Sequence, residues 1–469
     1  MLASRMVCVL GVASVLVGPA LARGSIIDST DVRGHWTASQ SPYVVEVPVV
    51  VPKGEELLID PGVEVLFAAQ DCGLTAQGTL TAAGSGGDSI LFSSLAPGEH
   101  NWAGLALVQG SDASVLDHCI VEYALATSAD GGGVRIADSD PLVRDSCIRH
   151  CVSMGDGGGL SITNGSSEVR NCRFAHNSSG WRGGGLFVEN GVAVKIHACE
   201  FFSNSAHNGG GVSVLDGDVV VRNSTFVGNY AYGSGGALEA SGCSLCFDNS
   251  TCLGNTARLD GGGGVWIQGG SALLQAVTLR ANETPYGTGG GVGCQYVEAM
   301  EIISCCIVDN HAAAGPAGGV HISESGASVR KTTVCENTAT ASTGLVATAG
   351  SVVDINDSIF GSSAISVAIL SEFMSVVSIG YCDVAGGMSQ VQSDGGSVEW
   401  LSGNLFEDPL FCNPPPLLED CSPCLGAASD GGDIGCSAAG CVCGNQTSVD
   451  EGSCDATWTE IKFLFKAVR

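Results

Sequence analysis

Basic side chains are scarce in this sequence. Lys and Arg total 19 against 48 Asp and Glu in 469 residues, a formal net charge of −29. Such a field repels nucleic acid and anionic lipid. It also disfavours polyanionic sugars unless a cation bridges the two. Long apolar runs are missing too: after the N-terminus nothing approaches the roughly 18 uninterrupted apolar residues of a spanning helix. Nor is there a succession of alternating strands, about ten residues each, from which a membrane barrel is built. The 3.6-residue spacing of amphipathic helices is absent from the central part, which excludes the helical solenoids.

What is present starts with an export signal. Arg5 precedes the apolar run Met6 to Val17, and Ala20-Leu21-Ala22 is a small-x-small cleavage site. Residues 1–22 are therefore expected to be a signal peptide. The mature chain would begin at Arg23, with no Cys there for lipid attachment. Gly is abundant, at 68 residues, yet 45% of the chain is hydrophobic and the mean hydropathy is +0.28. A disordered glycine-rich linker would be polar, so this chain has a core. Export together with 22 Cys points to an oxidising compartment.

Two rulers run through the middle of the chain. The last Gly of each glycine cluster falls at Gly133, Gly159, Gly185, Gly211, Gly236, Gly264, Gly291, Gly319 and Gly344, in steps of 26, 26, 26, 25, 28, 27, 28 and 25. An Asn falls at Asn177, Asn204, Asn229, Asn255, Asn282, Asn310 and Asn337, in steps of 27, 25, 26, 27, 28 and 27. Periods of this size signal a solenoid. The intervening pieces are strand-length and rich in β-branched residues, giving about three short strands per coil. The fold class is all-β: a single-stranded right-handed parallel β-helix. Counting residues 43 to 411 at one coil per ~26 residues gives roughly 14 coils and a rod of about 65 Å.

Equivalent residues of neighbouring coils then stack about 4.8 Å apart. The Asn positions form a structural ladder of amides, and each Gly cluster marks a turn needing positive φ or close approach. Three residues before the Asn runs an apolar column that includes Phe174, Phe201 and Phe226. Two before that runs a small-residue column, read as Cys147, Cys172, Cys199, Ser224, Ser250, Val277 and Cys305. Its thiols are either within disulfide reach of one another or packed free.

Gly235-Gly236-Ala237-Leu238 together with the Phe-x-x-Asn elements Phe174/Asn177, Phe201/Asn204 and Phe226/Asn229 resembles the repeats of the polymorphic outer-membrane proteins, over about residues 130 to 340. The resemblance implies a surface-exposed β-helix; that family's membrane barrel has no counterpart in this sequence. Tyr43 to Phe67 resembles the opening of extracellular pectin-lyase-fold proteins, so 23–70 reads as N-terminal cap and first coil and 71–411 as repeats. Glu407-Asp408-Pro409-Leu410-Phe411, Ser422-Pro423-Cys424-Leu425-Gly426-Ala427 and Asp433-Ile434-Gly435 resemble the closing module of bacterial choice-of-anchor β-helix proteins, with Gly426 where Asp is usual.

Residues 412–456 hold seven Cys: Cys412, Cys421, Cys424, Cys436, Cys441, Cys443 and Cys454. The segment has no His and one CxxC pair, so disulfides are expected rather than zinc, with one thiol left over or paired elsewhere. Residues 457–469 read as an amphipathic basic tail: Thr457 to Glu460 is a capping-box pattern, and Trp458, Ile461, Phe465 and Val468 share a face. A capping helix and an export or sorting tag are both open.

Candidate chemistry is thin. Many pectin-lyase-fold proteins cleave polysaccharides, the lyases through Ca²⁺ held by carboxylates, the hydrolases through clustered Asp. The hydrolase motifs are absent in order. Just before the Gly cluster the stack runs Asp130, Asp156, Arg182, Asn208, each step 26 residues. Asp130 and Asp156 are thus candidate Ca²⁺ ligands, against a plain turn reading in which Arg182 pairs with Asp156 across coils; turn chemistry favours the second. Asp117-His118-Cys119 resembles a lyase motif, but a polar-small column leading into the interior explains it better. Asn177, Asn223 and Asn249 are Asn-x-Ser/Thr sequons, and Asn177 belongs to the ladder. The chain is expected to be a monomeric, secreted or surface-associated bacterial protein, a structural or adhesin-like module contacting polysaccharide or other cell-surface components. The alternative is a Ca²⁺-dependent polysaccharide lyase or epimerase. No other cofactor and no catalytic residue is assigned.

Overall fold

The computed structural model describes residues 24–96, 102–127, 129–361, 367–413, 415–437 and 439–443. The expected signal peptide, Cys454 and the expected basic tail lie outside them. The described residues wind into a right-handed parallel β-solenoid of about 15 turns. One coil consists of Val134–Ala137, Leu142–Arg144, Cys147–Arg149 and Val152–Ser153. Each strand pairs in parallel with its counterpart in the next coil, as Val134 with Leu160, Ile148 with Phe174, and Val152 with Ser178. Three sheets result. Sheet I has 15 strands, sheet III eight short ones, and sheet II is a 26-stranded network of two strand columns. Those columns fuse where Leu186–His197, Val212–Arg222 and Leu238–Asp248 cross the corner unbroken.

Sheet I begins at Ser25–Ile27, in register with Tyr43–Val45, one coil before the segment that reads as the opening in sequence. Those three residues precede every glycine cluster, so neither ruler reaches them. This accounts for 15 turns against the 14 counted.

Strand alternation sends one side chain of every pair into a dry interior. Ile136, Val143 and Ile148 are fully buried. Phe174, Phe201 and Phe226 stack ring on ring at 5.0 and 4.8 Å. At the corner after sheet I, the Asn177 amide donates to Ile148 O at 2.9 Å and to Asn204 Oδ1 at 3.1 Å. Asn204 Oδ1 also accepts the Asn177 backbone N–H, at 3.0 Å. The same pattern repeats down to Asn310 and Asn337. A buried corner that would orphan several backbone groups is thereby satisfied.

The corner before sheet I is turned by a residue in the left-handed region: His118, Asp145, Asn171, Ala198, Asn223 and Asn249 have φ between 44° and 53°. The following Ser or Cys donates back across that bend, Ser146 to Arg144 O at 2.7 Å and Cys172 to Arg170 O at 3.2 Å. Ser146, not Cys147, therefore occupies the small-residue column. Cys147 pairs in register with Arg173 on the outer side of sheet I, one residue out of phase with Cys172. The column thiols are free, and burial pushes Cys305 up to about 12, so that thiol stays protonated.

The Cys-rich segment lies back along the outer face of sheet I. Cys412–Cys441 and Cys421–Cys443 close it on itself, and Cys436 is bonded to Cys306 of the solenoid, 130 residues earlier. Ser429 binds Asp357 through both N–H and hydroxyl, at 2.6 and 2.8 Å, and Cys436 N–H donates to Thr333 Oγ1 at 3.0 Å. Ile359, Leu418, Cys424, Ala428 and Ile434 form the small core between them. Under this segment sits Asp383. Burial pushes its carboxyl up to about 6; Cys424 Sγ donates to one oxygen at 3.1 Å, and the other has no partner. Among the described residues no helix is long and apolar enough to cross a membrane.

Candidate functional site: the glycine edge

Chemistry concentrates on the edge between sheet III and the glycine turn. Gly157 sits at φ 66°, and a Cβ on the neighbouring Gly158 would fall against the Gly184 carbonyl oxygen of the next coil. The turn is that tight because it folds over the strand that follows. A Cβ on Gly157 would be 2.8 Å from Ser161 Cβ, one on Gly209 2.7 Å from Ser213 Cβ, and one on Gly235 2.8 Å from Glu239 Cβ. The outward residues of that strand column are consequently buried although they face away from the core: Ser161, Phe187, Ser213, Glu239 and His321.

Glu239 is the chemically notable member. The Ser213 hydroxyl donates to its Oε2. Burial pushes its carboxyl up to about 6, against the Ser213 hydrogen bond and Arg182, which pull it down, and with Asp156, which adds to the rise. Burial also lowers His321 to about 4, and its Nδ1 has no partner. Sequence reading missed both, since alternation assigns such positions to solvent. The available clue was the glycine pair just upstream, Gly235-Gly236 and Gly318-Gly319.

The structure brings Asp130, Asp156, Arg182 and Asn208 into one row. Asp130 Oδ1 accepts the Asp156 N–H at 2.9 Å, and Asp156 Oδ1 accepts the Arg182 N–H at 2.8 Å. Asn208 Oδ1 takes the Ser234 N–H at 3.3 Å. Arg182 thus meets Asp156 through its backbone rather than its guanidinium, and the side chains of Asp130, Asp156 and Asn208 each tie their coil to the next. Burial raises Asp156, opposed chiefly by that Arg182 N–H.

Beside this row an outer ladder faces solvent. Trp181, His207, Tyr232 and Arg258 occupy the same position in four successive coils. Trp181 and His207 lie 6.1 Å apart edge to face, His207 and Tyr232 5.5 Å apart, and the Arg258 guanidinium lies 5.2 Å from the Tyr232 ring centroid. Trp181 is 63% exposed and Tyr232 41%. The register residue before Trp181 is Gly155, whose carbonyl accepts the Trp181 N–H, so the register position preceding the indole carries no side chain.

Elsewhere, Asp117, His118 and Asp145 bring one imidazole nitrogen and two carboxylate oxygens within 4.8 Å of one another. Arg144 already engages Asp117 Oδ2 through two hydrogen bonds, at 2.9 and 2.6 Å, and His118 Nδ1 meets Oδ1 at 2.6 Å. Cys119 is buried and donates inward to Ala82 O. Of the sequons, Asn177 is enclosed in the amide ladder, while Asn249 donates to Asn223 Oδ1 at 2.6 Å on the outer corner.

Residues 99–251 match the family model described as a right handed beta helix region. No curated protein matches the chain.

Proposed function

We propose that this chain is an exported or surface-held binding module, adhesin-like, whose glycine edge contacts glycan. The observation that carries the reading is the exposed ladder of Trp181, His207, Tyr232 and Arg258. Aromatic and guanidinium side chains left in water on a rigid scaffold offer apolar faces and fixed hydrogen-bond donors together, the combination sugars require. The acidic surface and the resemblance to surface-displayed repeats are consistent with a role outside the cell. The test is a glycan-array screen of the full chain followed by titration calorimetry. Binding that falls in Trp181→Ala and Tyr232→Ala supports the reading; a folded chain that retains no glycan sinks it.

The second reading, a Ca²⁺-dependent lyase or epimerase, rests on the Asp130, Asp156 and Arg182 row. Uronate polymers incubated with Ca²⁺ should then yield unsaturated sugar, and Asp130→Ala should abolish it. Both Oδ1 atoms already hold backbone N–H groups, which favours the binding module.

A further inference from the structure

If the glycine edge does bind glycan, the repeat of the ladder restricts which kind. We infer that the ligand is an extended, unbranched polysaccharide lying parallel to the solenoid axis, with one sugar ring per coil. This inference rests on the reading above and adds the ligand's class and direction.

The first argument is spacing. The ladder advances one side chain per coil, at 6.1, 5.5 and 5.2 Å between neighbours, and the coil itself advances by about 4.8 Å. A pyranose in an extended chain advances by a comparable length. A chain along the axis therefore stays in phase with the ladder over several coils, whereas a chain laid across it meets a single rung.

The second argument is which parts of the rungs remain free. His207 and Tyr232 are tilted by only 33°, and Arg258 covers the far side of the Tyr232 ring. Inner rungs thus use their faces on each other and turn their edges outward, with the imidazole nitrogen, the phenol and the guanidinium at the tips. None of these tips has a hydrogen-bond partner among the described residues. Trp181, at the end beside Gly155, is 63% exposed and is in ring contact with His207 on one side. The site reads as one stacking platform followed by a comb of polar tips. A sugar ring stacks on Trp181, and the hydroxyls of the next rings meet His207, Tyr232 and Arg258 in turn.

The third argument is shape. Trp181 and Tyr232 are 63% and 41% exposed, so these rungs lie open to solvent rather than closing around a monosaccharide. Affinity must accumulate rung by rung.

Calorimetry on the full chain with size-fractionated oligosaccharides of the best array ligand tests this. Affinity should rise with each ring up to about four, one per rung, and then level off. Each of His207→Ala, Tyr232→Ala and Arg258→Gln should weaken the four-ring ligand by about two- to tenfold, the worth of one net hydrogen bond, and leave the two-ring ligand nearly unaffected for the rungs it does not reach. Tyr296→Ala, an exposed tyrosine off this edge, is the control and should change nothing. Full affinity for a mono- or disaccharide overturns the inference while the glycan-binding reading stands. So does an equal loss in Tyr296→Ala. A folded chain with no affinity for any glycan removes the reading itself.

Discussion

The solenoid carries two ladders with the same period and opposite chemistry. Inside, seven Asn residues from Asn177 to Asn337 repeat one side chain, and the amides from Asn177 to Asn310 find partners in both neighbouring coils, while Asn337 closes the row on the preceding coil. Outside, the glycine edge changes side chain at every rung, from Trp181 to His207 to Tyr232 to Arg258, and leaves the polar tips in water. Identical residues recur where the neighbouring coil is the only partner, because each copy must satisfy the copy beside it. Residues differ where no copy in the neighbouring coil has to be satisfied. Repetition thus marks scaffold, and a break in repetition at a repeated position marks a surface free to specialise.

The sharpest way to break the contrast is inside. Asn255→Ala would take the acceptor from the Asn229 N–H and from one Asn229 amide hydrogen, and the side-chain donor from the Phe226 carbonyl, at once. It should cost about 3–5 kcal/mol, several unmade buried hydrogen bonds, read as a lower urea midpoint. Next is the bond between the two regimes: Cys306→Ser removes the covalent link between the Cys-rich segment and sheet I, leaving the Ser429–Asp357 bonds and the small core, and should cost about 2–4 kcal/mol, with proteolysis appearing first between residues 412 and 443.

The glycine edge supplies a smaller, pH-dependent effect. The Glu239 carboxyl is raised from 4.5 to about 6 in the folded chain, so its contribution is fully present below pH 4.5 and is lost as pH rises through 6. Glu239→Gln should therefore be more stable than the parent above pH 6.5, by roughly 2 kcal/mol at most. The difference should vanish near pH 4, as thermal unfolding across that range would report. Smallest of all, Tyr232→Ala should move stability by less than about 0.5 kcal/mol while reducing glycan affinity. A large stability loss there would erase the distinction between the two ladders.

The sequence revealed what repeats and concealed what does not. The glycine and Asn periods are legible because each is imposed by contact with an identical neighbour, and they carry the solenoid and its coil count to within one turn. Ser25–Ile27 escaped because three residues carry no period. Cys147 was read one residue out of phase, since Ser146 and Cys147 are both small and only register separates them. Cys436 with Cys306 could not be read at all, because nothing local encodes a partner 130 residues away. Glu239 was hidden by the alternation rule itself: outward normally means wet, unless a turn made of glycine lies on top.

The amide ladder has a further property. The six rungs from Asn177 to Asn310 point the same way, each giving an Nδ2–H to the Oδ1 of the next rung. Each hydrogen bond polarises the next in such a row, and the aligned amide dipoles add along the axis. Electrically the interior is a one-way wire of bonds rather than a stack of equal parts. A rung lost at Asn255 splits it into two short segments, whereas one lost at Asn337 only shortens it. The same Asn→Ala change should therefore be more damaging at the centre of the rod than at its end.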